Sequence, residues 1–217
     1  MVDQVRTGLA NRALMNIGHS RLLTDVDTDD SMEARTFRAV YDVSRQTVAS
    51  AVDWNFNSRR VSLAAAGTAP TFDFLYQYPV PADCLRVTEL FDLASSAVIA
   101  STSSNPFDDG MRWRVETIGE TDETYTKVLV CDLPAPIGAV YLRDVESLAR
   151  WSPAALEALE LKISARLAMP IAKKRELARD LSSDYDAKIA LAASIDAREA
   201  SDTRMPEGSW VNAREGY

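Results

Sequence analysis

A helical pattern breaks into an extended one at Asp53-Trp54-Asn55-Phe56-Asn57-Ser58-Arg59-Arg60, shortly after the sequence Tyr41-Asp42-Val43-Ser44-Arg45. Before the break, apolar residues spaced three and four apart, from Phe37 through Val48 to Trp54, predict a long amphipathic helix. Asn and Ser are poor in helix interiors because their side chains compete for backbone hydrogen bonds. The sequence therefore places the end of a helix and the start of a β-rich region close to Trp54.

Two predicted helices precede this break. Residues 3–17 form the first, because apolar residues recur every four positions along them, and Gly18 ends it. An acidic loop at residues 24–31 follows. Within it, Asp30 has the capping-box spacing from Glu33, which predicts the start of the second helix.

Two further helices are predicted after residue 151. Ser152 followed by Pro153 is typical of a helix start, since Ser accepts hydrogen bonds from free amides and Pro suits the first turn. Pro170 ends or kinks this third helix. Residues 172–200 predict a long last helix. Its inward face is predicted to carry Leu177, Leu181, Tyr185, Ile189, Ala192 and Ile195.

The middle of the chain has the composition of strands and turns. Segments that contain β-branched and aromatic residues predict strands at 60–64, 72–78, 85–91, 112–118, 125–130 and 139–142. Residues 94–110 are rich in Ser and predict a low-complexity loop. Gly and Pro separate these segments.

The expected fold class is α+β. Residues 1–54 and 152–200 are predicted to form a helical bundle, and residues 55–151 a β-rich insertion packed as a separate layer. Residues 201–217 have no helical or strand period, so they predict an extended C-terminal arm.

Composition restricts the classes of function. The chain has 217 residues, 47% of them hydrophobic, and a formal net charge of -8. Tight nucleic-acid binding is disfavoured, because phosphate attraction requires clustered Lys and Arg. An acidic wall is nevertheless compatible with DNA that slides past it. Without a run of about 18 apolar residues, neither a membrane span nor a signal peptide is expected.

The chemical inventory argues against an enzyme. His19 is the one histidine, and the common nucleotide and hydrolase motifs are missing, so no catalytic residue is assigned. Asp25, Asp27 and Asp29 imitate the first three ligands of a calcium loop. The imitation fails at the sixth position, where Asp30 replaces the required Gly. The sequence therefore predicts no metal and no cofactor.

Five short motifs together resemble one family of proteins. Beside the two stretches quoted first stand Ala13-Leu14-Met15-Asn16-Ile17-Gly18, Pro81-Ala82-Asp83-Cys84-Leu85-Arg86-Val87 and Ser209-Trp210-Val211-Asn212-Ala213-Arg214. In this order they resemble the phage tail tubular protein A family, the head-to-tail adaptors of short-tailed phages. The resemblance touches most of the chain, although each motif is short.

The resemblance implies a structural protein of the virion tail, assembled in the bacterial host cytoplasm. Such proteins form a ring, usually of twelve copies, beneath the portal protein. The ring continues the DNA channel without specific DNA binding and joins the portal to the next tail component, a nozzle or tail tubular protein B-like protein.

The resemblance also implies roles for particular residues. The helix-to-sheet junction or subunit interface carries Trp54, Asn55, Phe56 and Arg59, and the arm that reaches the portal carries Trp210 and Arg214. One departure is Asn57, where the family often has Ala.

Two other readings stay open at this point. The first is a head-completion connector of a long-tailed phage, which also assembles as a ring. A β-rich insertion of this length is more than such a minimal connector requires. A peptidoglycan-degrading tail enzyme requires two carboxylates across a cleft. Its candidate acids are Glu116, Glu120, Asp122 and Glu123.

Overall fold

The computed structural model describes residues 4–94, 97–99, 112–119 and 125–199. Within these ranges the fold is mixed α+β, which confirms the predicted class. The helices are α1 (Gln4–Asn16), α2 (Met32–Ala51), α3 (Pro153–Leu167) and α4 (Arg175–Glu199). The strands are β1 (Ser58–Leu63), β2 (Tyr76–Pro79), β3 (Cys84–Asp92), β4 (Ala97–Ile99), β5 (Trp113–Ile118), β6 (Thr126–Cys131) and β7 (Ile137–Arg143).

Serine side chains start two of the helices. Ser152 Oγ accepts a hydrogen bond from the amide of Ala155 at 3.3 Å, as the sequence predicts for α3. At α2 the predicted cap is one residue off, because Ser31 rather than Asp30 accepts from the amide of Ala34, at 3.3 Å. Ser31 has the extended backbone that an N-cap residue requires.

The connection between α3 and α4 is a single π-helical turn, Ala168–Ala172, which contains Pro170. Lys173 follows with a φ of 56°, a left-handed conformation that closes the turn. Because of this turn, α4 begins at Arg175 and not at residue 172.

The strands form two antiparallel sheets. The order in the first sheet is β1-β7-β3-β4 and in the second β2-β6-β5. Strand β4 lies inside the segment 94–110 that the sequence predicts as a loop, so that prediction is wrong for residues 97–99. Ile99 pairs with Leu90 of β3, a long-range partner that composition does not reveal. Residues 95–96 and 100–110 of the predicted loop lie outside the described residues.

Two main hydrophobic cores are present. One unites the four helices with the segments that connect them to the sheets, and α3 contacts each of the other three helices. The second draws residues from both sheets, including Tyr78, Leu90 and Leu129. The predicted inward face of α4 is correct as far as Ala192 but wrong at Ile195, which is 44% exposed.

No helix of the described residues is both long and apolar enough to cross a membrane.

Candidate functional site: the helix-to-sheet junction

Aromatic side chains hold the end of α2 against the start of α3. Trp54 is fully buried, and its indole Nε1 donates a hydrogen bond to the carbonyl of Val48 at 2.8 Å. The ring of Phe56 lies between two indoles, with centroid distances of 5.9 Å to Trp54 and 5.0 Å to Trp151. Trp54 and Phe56 therefore anchor the break between helix and strand in the helical core.

Asn55 joins this break to the last turns of α4. Its backbone amide donates to Asp196 Oδ2 and its side-chain amide to the carbonyl of Asp196, each at 2.9 Å. Asp196 is buried although it carries a carboxylate, and the hydrogen bond to Oδ2 offsets part of its lost hydration. The buried position that the sequence assigns to Ile195 belongs in fact to this neighbouring residue.

Asn57 connects α2 to β7. It is fully buried, its Nδ2 donates to the carbonyl of Ala49 at 2.7 Å, and its own carbonyl accepts from the amide of Arg143 at 2.9 Å. Its side-chain Oδ1 has no hydrogen-bond partner among the described residues. The side chain and the backbone of Asn57 together connect the end of α2 to the end of β7.

A buried ion pair crosses the junction. Arg45 of α2 donates two hydrogen bonds to Asp144, and its side chain is only 4% exposed. Gln46 donates to the same carboxylate at 3.0 Å. Burial alone lowers the pKa of Arg45, but the hydrogen bond and charge of Asp144 reverse this and raise that pKa above its usual value. Arg45 therefore stays charged, and its hydrogen bonds to Asp144 fix α2 to the end of β7.

Charged groups at the solvent edge of the junction join two of the family-like motifs. Arg86 contacts Asp53, and Arg59 Nη1 lies 3.9 Å from Asp83 Oδ2. The hydroxyl of Tyr141 donates to Asp83 at 3.0 Å. Motif 53–60 and motif 81–87 are therefore in direct contact, although the sequence separates them.

The structure thus brings together Trp54, Asn55 and Phe56 in one packed junction, while Arg59 lies at its exposed rim with 57% of its side chain accessible. Sequence reasoning missed Asp144 and Asp196, the two acids that hold the junction. Their partners lie about a hundred residues or more away in sequence, so no local signal reveals them. These contacts position structural elements, and they supply no nucleophile.

The acidic loop before α2 uses its carboxylates internally. Asp25 accepts from the amide of Asp27 at 3.0 Å and from the hydroxyl of Thr28 at 3.0 Å, and Asp27 pairs with Arg6 at 2.7 Å. Hydrogen bonds from Ser31 lower the pKa of Asp29. Among the described residues, no group of three or more His, Cys, Asp or Glu side chains could hold a metal ion.

The two cysteines are free and buried. Burial raises the pKa of Cys84 to about 11 and also raises that of Cys131, so both thiols stay neutral at ordinary pH.

Several residues singled out in the sequence lie outside the described part of the chain. These are the proposed portal-binding residues Trp210 and Arg214, and three of the candidate enzyme acids, Glu120, Asp122 and Glu123. The fourth acid, Glu116, lies on β5, where Arg114 approaches it at 3.4 Å.

A scan against protein-family models finds no match to this chain, and a search of curated proteins finds no significant relative. Functional inference therefore rests on the motifs and on the geometry of the junction.

Proposed function

We propose that this chain is a subunit of a head-to-tail adaptor, a structural virion protein of the phage tail tubular protein A kind. Twelve copies form a ring beneath the portal protein, continue the DNA channel and receive the next tail component. The protein is not an enzyme in this proposal, and it requires neither metal nor cofactor.

One observation carries the proposal: motifs that resemble the family meet at a single place in the fold. Asp53 and Arg59 of one motif contact Arg86 and Asp83 of another. Arg45, from the motif at the end of α2, is buried in the same junction. If the resemblance of these short motifs to the family were accidental, we would not expect motif 53–60 and motif 81–87 to be in contact in the fold.

The proposal includes a division of the subunit into parts. Residues 1–54 and 152–200 act as a helical bundle, residues 55–151 as an inserted β-rich layer, and residues 201–217 as an arm. The arm reaches the portal protein with Trp210 and Arg214, since tryptophan and arginine are enriched among the residues that anchor interfaces.

Charge supports a channel that DNA passes without being held. The formal net charge is -8, and at the junction Arg45, Arg59 and Arg86 each lie within ion-pair distance of a carboxylate. Each phosphate that a wall neutralises adds affinity, which hinders sliding. A wall with few unpaired cations allows the duplex to move.

The test is mass photometry of the purified chain alone and then mixed with the portal protein of its phage. We expect a ring of fixed stoichiometry that forms on the portal, and weaker binding by Trp210→Ala. A matched control is Trp113→Ala, which removes a tryptophan from the sheet region and leaves the arm intact. The absence of any association with the portal would refute the adaptor proposal.

A further inference from the structure

Helix α4 has one side with no partner among the described elements. It packs against α3 and against the turn that precedes it, through Leu181, Tyr185 and Ala192. The opposite side is exposed from Arg175 to Arg198.

Basic residues form one stripe on this exposed side. Arg175 and Arg179 are one helical turn apart, and Lys173 and Lys174 extend the group at the start of the helix. All four are exposed, and none makes an ion pair with a described residue. These four cations are grouped at the start of one helix.

Acidic residues form a second stripe beside the first. Glu176, Asp180 and Asp184 recur every four residues, are exposed, and make no ion pair within the described part of the chain. Like charges four residues apart destabilise an isolated helix, whereas alternating charges would stabilise it. Repulsion within each stripe is relieved when the stripe meets opposite charge on another chain.

The two stripes face different directions. Successive residues of an α-helix are about 100° apart around the axis, so Arg175 and Glu176, like Arg179 and Asp180, point to different neighbours. Leu191 follows Asp184 by seven residues, which is about two helical turns, so this side continues into Leu191 and Ile195, which are 54% and 44% exposed. These two apolar side chains would add buried area to a contact between subunits, while the charged residues would set its orientation.

We propose that α4 forms the contact between neighbouring copies of this chain, with the basic stripe of one copy on the acidic stripe of the next. Because the two stripes are different surfaces, the contact is heterologous, and heterologous contacts build a ring when the rotation between neighbouring copies closes. This inference rests on the proposed ring function and identifies the surface that would build the ring.

The test uses the full chain alone, at high concentration and low salt, as an equal mixture of unlabelled and nitrogen-15-labelled protein. A zero-length reagent that couples carboxylates to amines is added, and cross-linked peptides are identified by mass spectrometry. We expect mixed-isotope peptides that join Lys173 or Lys174 to Glu176, Asp180 or Asp184. Salt at about 1 M, where the screening length is about 3 Å, should abolish them.

Charge-reversal variants decide whether the stripes are the cause. Arg175→Glu with Arg179→Glu should reduce the mixed-isotope cross-links at least about tenfold, a loss equivalent to about 1.4 kcal/mol. Mixing this variant with one that carries Glu176→Lys, Asp180→Lys and Asp184→Lys should restore association between the two variants, measured by sedimentation. The control Arg60→Glu with Arg150→Glu changes net charge equally at exposed positions outside α4 and should leave the cross-links unchanged.

Absence of mixed-isotope cross-links in the wild-type chain, or their persistence in Arg175→Glu with Arg179→Glu, would overturn the α4 contact. Circular dichroism of each variant is the control for folding. We expect every variant to keep the wild-type spectrum, because all substituted residues are exposed. The portal experiment is separate. A ring that forms on the portal and is indifferent to the α4 substitutions would refute this contact and leave the adaptor function intact.

Discussion

Replacement of Asp144 by Ala should strongly destabilise the protein, because it leaves the charge of Arg45 buried without compensation. Loss of one partner from a buried ion pair costs about 3–5 kcal/mol. Asp144 is 19% exposed, and Asp42 lies 3.7 Å from Arg45 Nε, so some compensation remains. We therefore expect a loss at the lower end of that range, about 3 kcal/mol.

The measurement is the free energy of unfolding in urea for the wild-type chain and for Asp144→Ala. A matched control lies in the same junction, where Asp53→Ala breaks the ion pair with Arg86. The side chain of Asp53 is 65% exposed and that of Arg86 is 48% exposed. Solvent screens that pair, so its loss should cost less than about 1 kcal/mol.

A double substitution separates a stranded charge from lost packing. Arg45→Met combined with Asp144→Leu removes both charges, so it should be less destabilising than Asp144→Ala alone. If Asp144→Ala costs no more than Asp53→Ala, the Arg45 side chain is adequately solvated and the ion pair does not hold the junction.

Three other predictions concern buried groups. Cys84 and Cys131 should react with a thiol reagent at pH 8 only after unfolding; reaction in the native protein at the rate of a free thiol would contradict their burial. Burial raises the pKa of Tyr78 from 10.0 to about 12, so its contribution to stability is complete below pH 10 and is lost as the pH approaches 12. Urea unfolding at pH 8 and pH 11 should detect that loss, and equal stability would contradict it. Asn55→Ala removes the side-chain amide that donates to the backbone carbonyl of Asp196, so hydrogen exchange should accelerate in the last turns of α4 and remain unchanged in α1.

Local signals predicted most of the secondary structure. The start of α3 at Ser152 and Pro153 was predictable because capping depends on neighbouring residues. Six of the seven strands overlap segments selected for β-branched and aromatic content. Strand β4 was missed because its pairing with β3 is what makes it a strand, and a short segment among Ser residues carries no such signal.

The candidate site was predictable only in part. Trp54, Asn55 and Phe56 stand out where helical spacing ends, so the sequence located the junction. It could not identify Asp144 and Asp196, because acids are common on any surface and only their distant partners distinguish them.

By itself, the sequence determined the type and approximate position of the four helices and of six strands, since capping, periodicity and backbone preference act within a few residues. Only the tertiary structure decided which side of each element is buried where the local pattern is weak. On α4, Ile195 is exposed and Asp196 is buried because Asn55 reaches the carboxylate from the other end of the chain. The hydrogen bond from the Asn55 backbone amide to Oδ2 offsets part of the cost of burying the carboxylate, whereas solvent exposure of one isoleucine costs comparatively little.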